Sequence, residues 1–110
     1  MTTATKAEWV PMSEIKAAAE AAGSFWFEPA TMRFFASRVG SGGYRASSGA
    51  IYFVSSEQFR ASNGYRAARR YTVRKLTPGK LSINDVGGFQ EYATGREATR
   101  AAIRACEADT

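Results

Sequence analysis

The spacing of apolar and polar positions changes period several times along this chain. "PMSEIKAAAEAAG" places Ile15, Ala18, Ala19 and Ala22 at i, i+3, i+4 and i+7, with Ser13 as N-cap and Gly23 as stop, and predicts a short amphipathic helix. "SFWFEP" puts Phe25, Trp26 and Phe27 before Pro29, a hydrophobic bridge into a sheet. From Met32 to Val39 the chain alternates, with Phe34 and Ala36 on one side and Arg33, Phe35 and Ser37 on the other, which predicts a strand. By the same alternation Arg38 falls inward, at a strand end or salt-bridged.

"GSGGYRASSG" predicts a long mobile loop carrying Tyr44 and Arg45, and residues 50–54, "AIYFV", the strand that pairs back. Ser55 and Gln58 have capping-box spacing for a single helical turn, and Asn63-Gly64 marks a turn. "RRYTVRKL", residues 69–76, alternates cleanly, Tyr71 and Val73 against Arg70, Thr72 and Arg74. Pro78-Gly79 suits a type II turn that returns the chain as "KLSINDV". Thr94 and Glu97 open a last helix with a capping box. Its inner face is Ala98, Thr99, Ala102, Ile103 and Cys106, and Arg96, Arg100 and Arg104 form a solvated ridge.

This order predicts an α+β fold, an antiparallel four-stranded sheet with the N-terminal and C-terminal helices packed on one face. Residues 13–108 would form a single domain behind an N-terminal extension of residues 1–12. The other face of the sheet would stay open and present Arg33, Ser37, Arg70, Thr72 and Arg74.

Composition bounds this picture. Seven Phe, five Tyr and two Trp in 110 residues supply enough apolar area for one core. No apolar run approaches the roughly 20 residues of a membrane span, and "MTTATKAEWVPM" lacks the apolar stretch of a signal peptide. With one cysteine, Cys106, and so no internal disulfide, a reducing cytoplasm is expected. The net charge of +5 is unevenly spread: residues 33–80 hold ten arginines and lysines against one acid, Glu57. Such a segment attracts anionic partners, or else covers apolar surface with wet-headed arginine stems.

The chemistry is as telling for what is missing. The chain contains no histidine, which removes Ser-His and Cys-His pairs and the usual general base. One cysteine leaves no zinc constellation, so no metal and no cofactor is expected. Asp85, Glu91, Glu28 and Glu57 form no recognisable catalytic pair, and "GSGGYR" fails the phosphate-loop pattern because Arg45 stands where glycine is needed. What remains is arginine interleaved with tyrosine and hydroxyls: Arg33, Ser37, Tyr44, Arg45, Tyr65, Arg66, Arg69, Arg70, Thr72 and Arg74. Arginine pairs with phosphate in two-pronged fashion and tyrosine stacks on unpaired bases, so these are the candidate binding residues for nucleic acid or a nucleoprotein complex. The aromatic spacing of an RNA-recognition sheet is absent.

"TMRFFASR", "IYFVSSEQF" and "RRYTVRKL", followed by "GGFQEYAT" and an Ala/Arg-rich closing helix, resemble an uncharacterised family of small proteins carried by bacteriophages, prophages and plasmids. The resemblance implies a context, an accessory protein of a mobile element in a bacterial cytoplasm, and assigns no role to any residue. The resulting expectation is a non-enzymatic protein that binds nucleic acid. The alternative is an anti-defence protein, anti-CRISPR-like, or a host-takeover inhibitor, whose arginines meet an acidic host or defence-system protein. Under the first reading, charge reversal at Arg70 and Arg74 is expected to abolish binding and spare the fold.

Overall fold

Two seven-residue runs organise the sheet in the computed structural model, which describes residues 7–80 and 82–109. β4 (Ile51–Glu57) and β5 (Arg70–Leu76) pair antiparallel along their whole length, from Ile51 opposite Leu76 to Glu57 opposite Arg70. Both are rich in β-branched and aromatic residues, which pack well on a pleated surface. β6 (Ile83–Val86) follows the turn at Thr77–Lys80. There Lys80 N–H donates to the Thr77 carbonyl (3.1 Å), and Gly79 takes the left-handed φ of 80° that a type II turn needs. Leu81, expected within this strand, lies outside the described residues.

The other edge of β4 is shared by two short strands. β2 (Arg38–Val39) pairs with Ser56 and Ser55, while β3 (Gly42–Arg45) pairs with Tyr52 and Ile51. β1 (Glu8–Pro11), within the stretch expected as an extension, adds to the outside of β3; residues 1–6 of that stretch lie outside the described residues. The sheet therefore has six strands in place of the expected four, in the order β1-β3-β4-β5-β6 with β2 beside β4, all antiparallel.

Three local expectations give way to tertiary structure. The run "TMRFFASR" is mostly not a strand: residues 29–34 form a helix, α2 (Pro29–Phe34), and only Arg38 and Val39 are extended. Pro29 pre-sets the helical φ at the first position, and Ala36, at φ 49°, ends the helix with Ser37 N–H donating to the Met32 carbonyl (2.7 Å). Over so few residues an alternating pattern and a helical one coincide. Ser55 to Glu57 do not start a helical turn but complete β4, because pairing with Thr72, Tyr71 and Arg70 satisfies their backbone. The glycine-rich "loop" contains β3. A Cβ at Gly42 would fall on the Val10 carbonyl and the Trp9 ring, and one at Gly43 on the Tyr52 carbonyl and Phe53, so these glycines permit close approach and not mobility.

The helices flank the sheet, whereas both were expected on one face. α1 (Met12–Ala21), preceded by Pro11 as N-cap and not by Ser13, lays Met12, Ile15 and Ala19 against Val10, Ile51, Phe53 and Leu76. Trp26 and Phe27 complete that layer, Trp26 edge-on to Phe27 (4.8 Å) and to Phe53 (5.6 Å). α3 (Gly95–Ala108) lays Ala98, Ala102 and Cys106 against Tyr52 and Val73 on the opposite face. Its N-cap is as expected, Thr94 Oγ1 accepting from Glu97 N–H (3.2 Å). The reason for two layers is legible in β4: Ile51 and Phe53 point one way, Tyr52 and Val54 the other, so both faces need cover. No helix among the described residues is long and apolar enough to cross a membrane.

Candidate nucleic-acid interface

The shared edge of β4 creates a gap. Neither β2 nor β3 pairs with Phe53 or Val54, and at this break the chain from Val39 to Gly42 steps away from β4. A cavity of about 380 Å³ opens there, within the range of about 300–1,000 Å³ typical of small-molecule sites. Trp9, Tyr44 and Tyr71 supply aromatic walls, Ser56 and Thr99 hydroxyls, and Arg38 a charged rim; no lining residue is acidic. Trp9 is 54% exposed on β1, opposite Tyr44 in the register, and Arg38 is opposite Ser56. Of the two places expected for Arg38, a strand end or a salt bridge, the structure gives the first: it opens β2, exposed, with no ion pair among the described residues.

An arginine cluster continues from this rim. Arg69 Nη1 donates to the Ala36 carbonyl (2.8 Å), the Ser56 carbonyl (3.1 Å) and Ser56 Oγ (3.0 Å), while its Nη2 is buried with no partner. Burial, with Arg38 and Arg60 nearby, pushes the Arg69 guanidinium below its ordinary range. Residues 58–69 form an arm in which Arg60 and Arg66 bridge; its tip turns at Asn63-Gly64, where Asn63 Oδ1 accepts from Tyr65 N–H (3.0 Å). Arg60, Tyr65 and Arg66 are exposed on it.

The other expected site residues scatter. Arg33 is exposed on α2 and Ser37 lines a different cavity. Arg45, expected in a mobile loop, pairs with Glu8 (3.2 Å) and Glu14 (3.1 Å). Arg70 is exposed, its Nε and Nη2 donating to the Gln90 (2.7 Å) and Glu91 (2.8 Å) carbonyls. Thr72 and Arg74 are not on an open face at all. Both are buried, in a network centred on Glu57, which is itself fully buried. Arg74 Nη2 donates to Glu57 Oε2 (3.2 Å), its Nε to Ser55 Oγ (2.8 Å) and its Nη1 to Asp85 Oδ1. Ser55 donates to Glu57 Oε2 (2.5 Å) and Thr72 to Glu57 Oε1 (2.8 Å), while Thr72 Oγ1 accepts from Gln90 N–H (2.7 Å). The Arg74 guanidinium also lies over the Trp26 (5.2 Å) and Phe89 (5.6 Å) rings. Each nitrogen of Arg74 makes one bond and two carboxylates offset its charge, so this buried arginine serves the network and not an open face.

Sequence reasoning missed Trp9, Arg38, Arg60 and Tyr71 as site residues, and Glu57 with Asp85 as partners of Arg74. Only the alternation of "EWVP" before Pro11 hinted at a strand that would present Trp9. No group of His, Cys, Asp and Glu among the described residues is arranged to hold a metal ion.

A second cavity, about 490 Å³, lies between α2 and the Arg74 network, walled by Trp26, Met32, Phe34, Phe35 and Phe89. Phe34 is 79% exposed, stacked edge-on to Phe35 (4.7 Å), which packs on Phe89 (5.4 Å). Both left-handed non-glycine residues among those described flank this cavity, Ala36 and Gln90 (φ 56°).

In class, then, this is an α+β protein with an open antiparallel sheet between helices. Residues 11–103 match DUF7447, a family of unknown function, and the chain belongs to that family. No curated protein and no solved structure matches it.

Proposed function

We propose that this protein binds nucleic acid, alone or within a nucleoprotein complex, as a non-enzymatic accessory protein of a phage or other mobile element in a bacterial cytoplasm. The observation that carries the reading is the uncompensated positive ground beside an aromatic cavity. Arg38, Arg60 and Arg66 have no carboxylate partner among the described residues, and the cavity that Arg38 lines has no acidic residue in its lining. The mobile-element setting rests on the resemblance of the "TMRFFASR" run and its neighbours. Absence of histidine from the chain supports the non-enzymatic part.

The test is fluorescence anisotropy of labelled single- and double-stranded DNA and RNA across salt. About four phosphate contacts give a log-log slope near −3 on single strands and nearer −4 on duplex. The double variant R38E/R60E should lose at least about tenfold in affinity while its stability stays within about 0.5 kcal/mol, as exposed substitutions do. Undiminished binding by that variant sinks the reading.

A protein partner is the second reading, and the exposed Phe34, Phe35 and Phe89 favour it. An aromatic patch around a cavity is the kind of surface that anchors protein interfaces, and an anti-defence or host-takeover inhibitor would use it. It predicts a host or defence-system protein that co-purifies after nuclease treatment and is lost with Phe34→Ala. Recovery of the same partner with that variant would remove it.

A further inference from the structure

We propose that the cavity at the β2–β3 break seats one unpaired nucleobase against Trp9, with its phosphate on Arg38, so that the nucleic acid recognised is single-stranded. This rests on the nucleic-acid reading above and adds to it the form of the ligand.

Four observations converge on the seat. Trp9, Tyr44 and Tyr71, from three different strands, line it with aromatic surface, the kind of surface on which any base can stack irrespective of sequence. Gly40 and Gly42 bring backbone to the wall, and Ser56 and Thr99 bring hydroxyls, so donors and acceptors are at hand for the edge of a planar polar ring. An apolar ligand would leave those groups unpaired. The rim is positive and unneutralised: Arg38 faces solvent, and behind it Arg69 is held by the Ala36 and Ser56 carbonyls, neutral acceptors that leave its charge uncancelled. Gly95, the first residue of α3, also lines the cavity and adds the positive end of the helix dipole. A duplex does not fit this arrangement, because a paired base turns its faces to its stacked neighbours and shows a protein only its edges.

Its volume of about 380 Å³ lies at the lower end of the small-molecule range, the scale of one nucleotide and not of a whole strand. Elsewhere on the molecule, Arg60, Tyr65 and Arg66 on the arm offer exposed charge and one more ring to a longer strand.

The experiment compares three labelled probes of equal length: a single-stranded DNA, its duplex, and an abasic strand that keeps the phosphates and lacks the bases. Each is titrated with the wild-type protein, W9A, W9F and R38A. Trp9 is more than half exposed, so W9A should fold, and a thermal melt by circular dichroism checks this. The expected result is preference for the single strand over both other probes. W9A should weaken single-strand binding by roughly 5- to 150-fold and leave abasic-strand binding unchanged. W9F should restore most of the loss, whereas R38A should weaken the single and abasic strands alike. Equal affinity of the wild-type protein for duplex and single strand, or a W9A loss shared by the abasic probe, overturns the base seat while the nucleic-acid reading stands. Failure of the wild-type protein to bind any probe at low salt overturns both.

Discussion

Arg74 and Arg38 are both strand arginines beside β4 or its partner, yet they lie in opposite electrostatic surroundings. Arg74, on the α1 side of the sheet, is buried with all three nitrogens donating and two carboxylates in reach. Arg38, on the α3 side, stands in solvent at the mouth of a cavity with no acid in its lining. Glu57 explains both. It is the one acid between residues 33 and 80, and the fold turns it inward to meet Arg74. Acids from outside the segment reach Arg45 and Lys75, which leaves Arg38, Arg60 and Arg66 without a carboxylate partner among the described residues. A charge excess read from composition thus divides into an interior part that holds the fold and an exterior part free to meet a ligand.

The contrast is broken most severely at Glu57. Its replacement by Ala leaves the Arg74 charge buried with Asp85 alone, and removal of one member of a buried pair costs about 3–5 kcal/mol. A urea or thermal unfolding series should show this drop for E57A and for Arg74→Glu, contrary to the expectation that charge reversal at Arg74 spares the fold. A loss below about 1 kcal/mol would mean that the network is not the closed unit its geometry describes.

Next come two adjacent glycines that face the two sides. A methyl at Gly43 meets Phe53 Cβ at 2.8 Å and Ile15 Cδ1 at 3.1 Å, so G43A overpacks the α1-side core and should cost about 1–3 kcal/mol by chemical denaturation. A methyl at Gly42 falls on the Val10 carbonyl and meets the Trp9 ring at 2.8 Å, so G42A strains the β1–β3 pairing and displaces Trp9 together. G42A should therefore shift Trp9 emission and reduce single-strand affinity, which G43A leaves nearly intact in its folded fraction. Identical behaviour of the two variants would erase the distinction between the faces.

The smallest effect is a pH dependence confined to the α3 side. Tyr52 donates to Asp109 Oδ2 (2.6 Å), and this bond, with Ser48 and Lys75 nearby, holds the Asp109 carboxyl below its usual range. Burial and the same carboxylate push the Tyr52 phenol well up. A depressed carboxyl contributes stability that is complete above its unfolded value, about pH 4, and is lost as pH falls through the folded value. D109N should flatten that acid limb and leave neutral-pH binding unchanged. An acid limb of undiminished slope in D109N would assign it to other carboxylates.

How much of this was legible in the chain depends on the distance over which each feature is decided. The β5–β6 hairpin and the Thr94 cap were read correctly because Pro78-Gly79 and Thr94-x-x-Glu97 act within four residues. α2 was misread because its eight-residue run satisfies both periods and the deciding feature, Pro29 as a helix start, also serves as a helix stop. β3 was hidden by its glycines, whose need is set by Val10, Trp9, Tyr52 and Phe53, residues distant in sequence. The wet face predicted for Arg70, Thr72 and Arg74 failed for the same reason: the groups that receive Thr72 and Arg74 come from Ser55, Glu57 and Asp85, 11 to 19 positions away. The candidate residues on the arm, Tyr65, Arg66 and Arg69, were legible as charge and aromaticity, but Trp9 and Arg38 became neighbours only through pairing of β1 with β3 and of β2 with β4.

The same pairing has a consequence in time. β5 and β6 meet across a short turn, whereas Glu8 reaches Arg45 across 37 positions, so β1 makes the longest-range pairing in the sheet. It sits at the edge of the sheet, held by Val10 in the core and by pairing with β3 on one side only, while the surface pairs of Arg45 contribute little. The strand that carries Trp9, paired on one side only, is therefore expected to open more readily than β4 or β5, which are paired on both. A ligand held by Trp9 would close that opening by mass action, slowing amide exchange in β1 long before it touched the rate in β4 or β5.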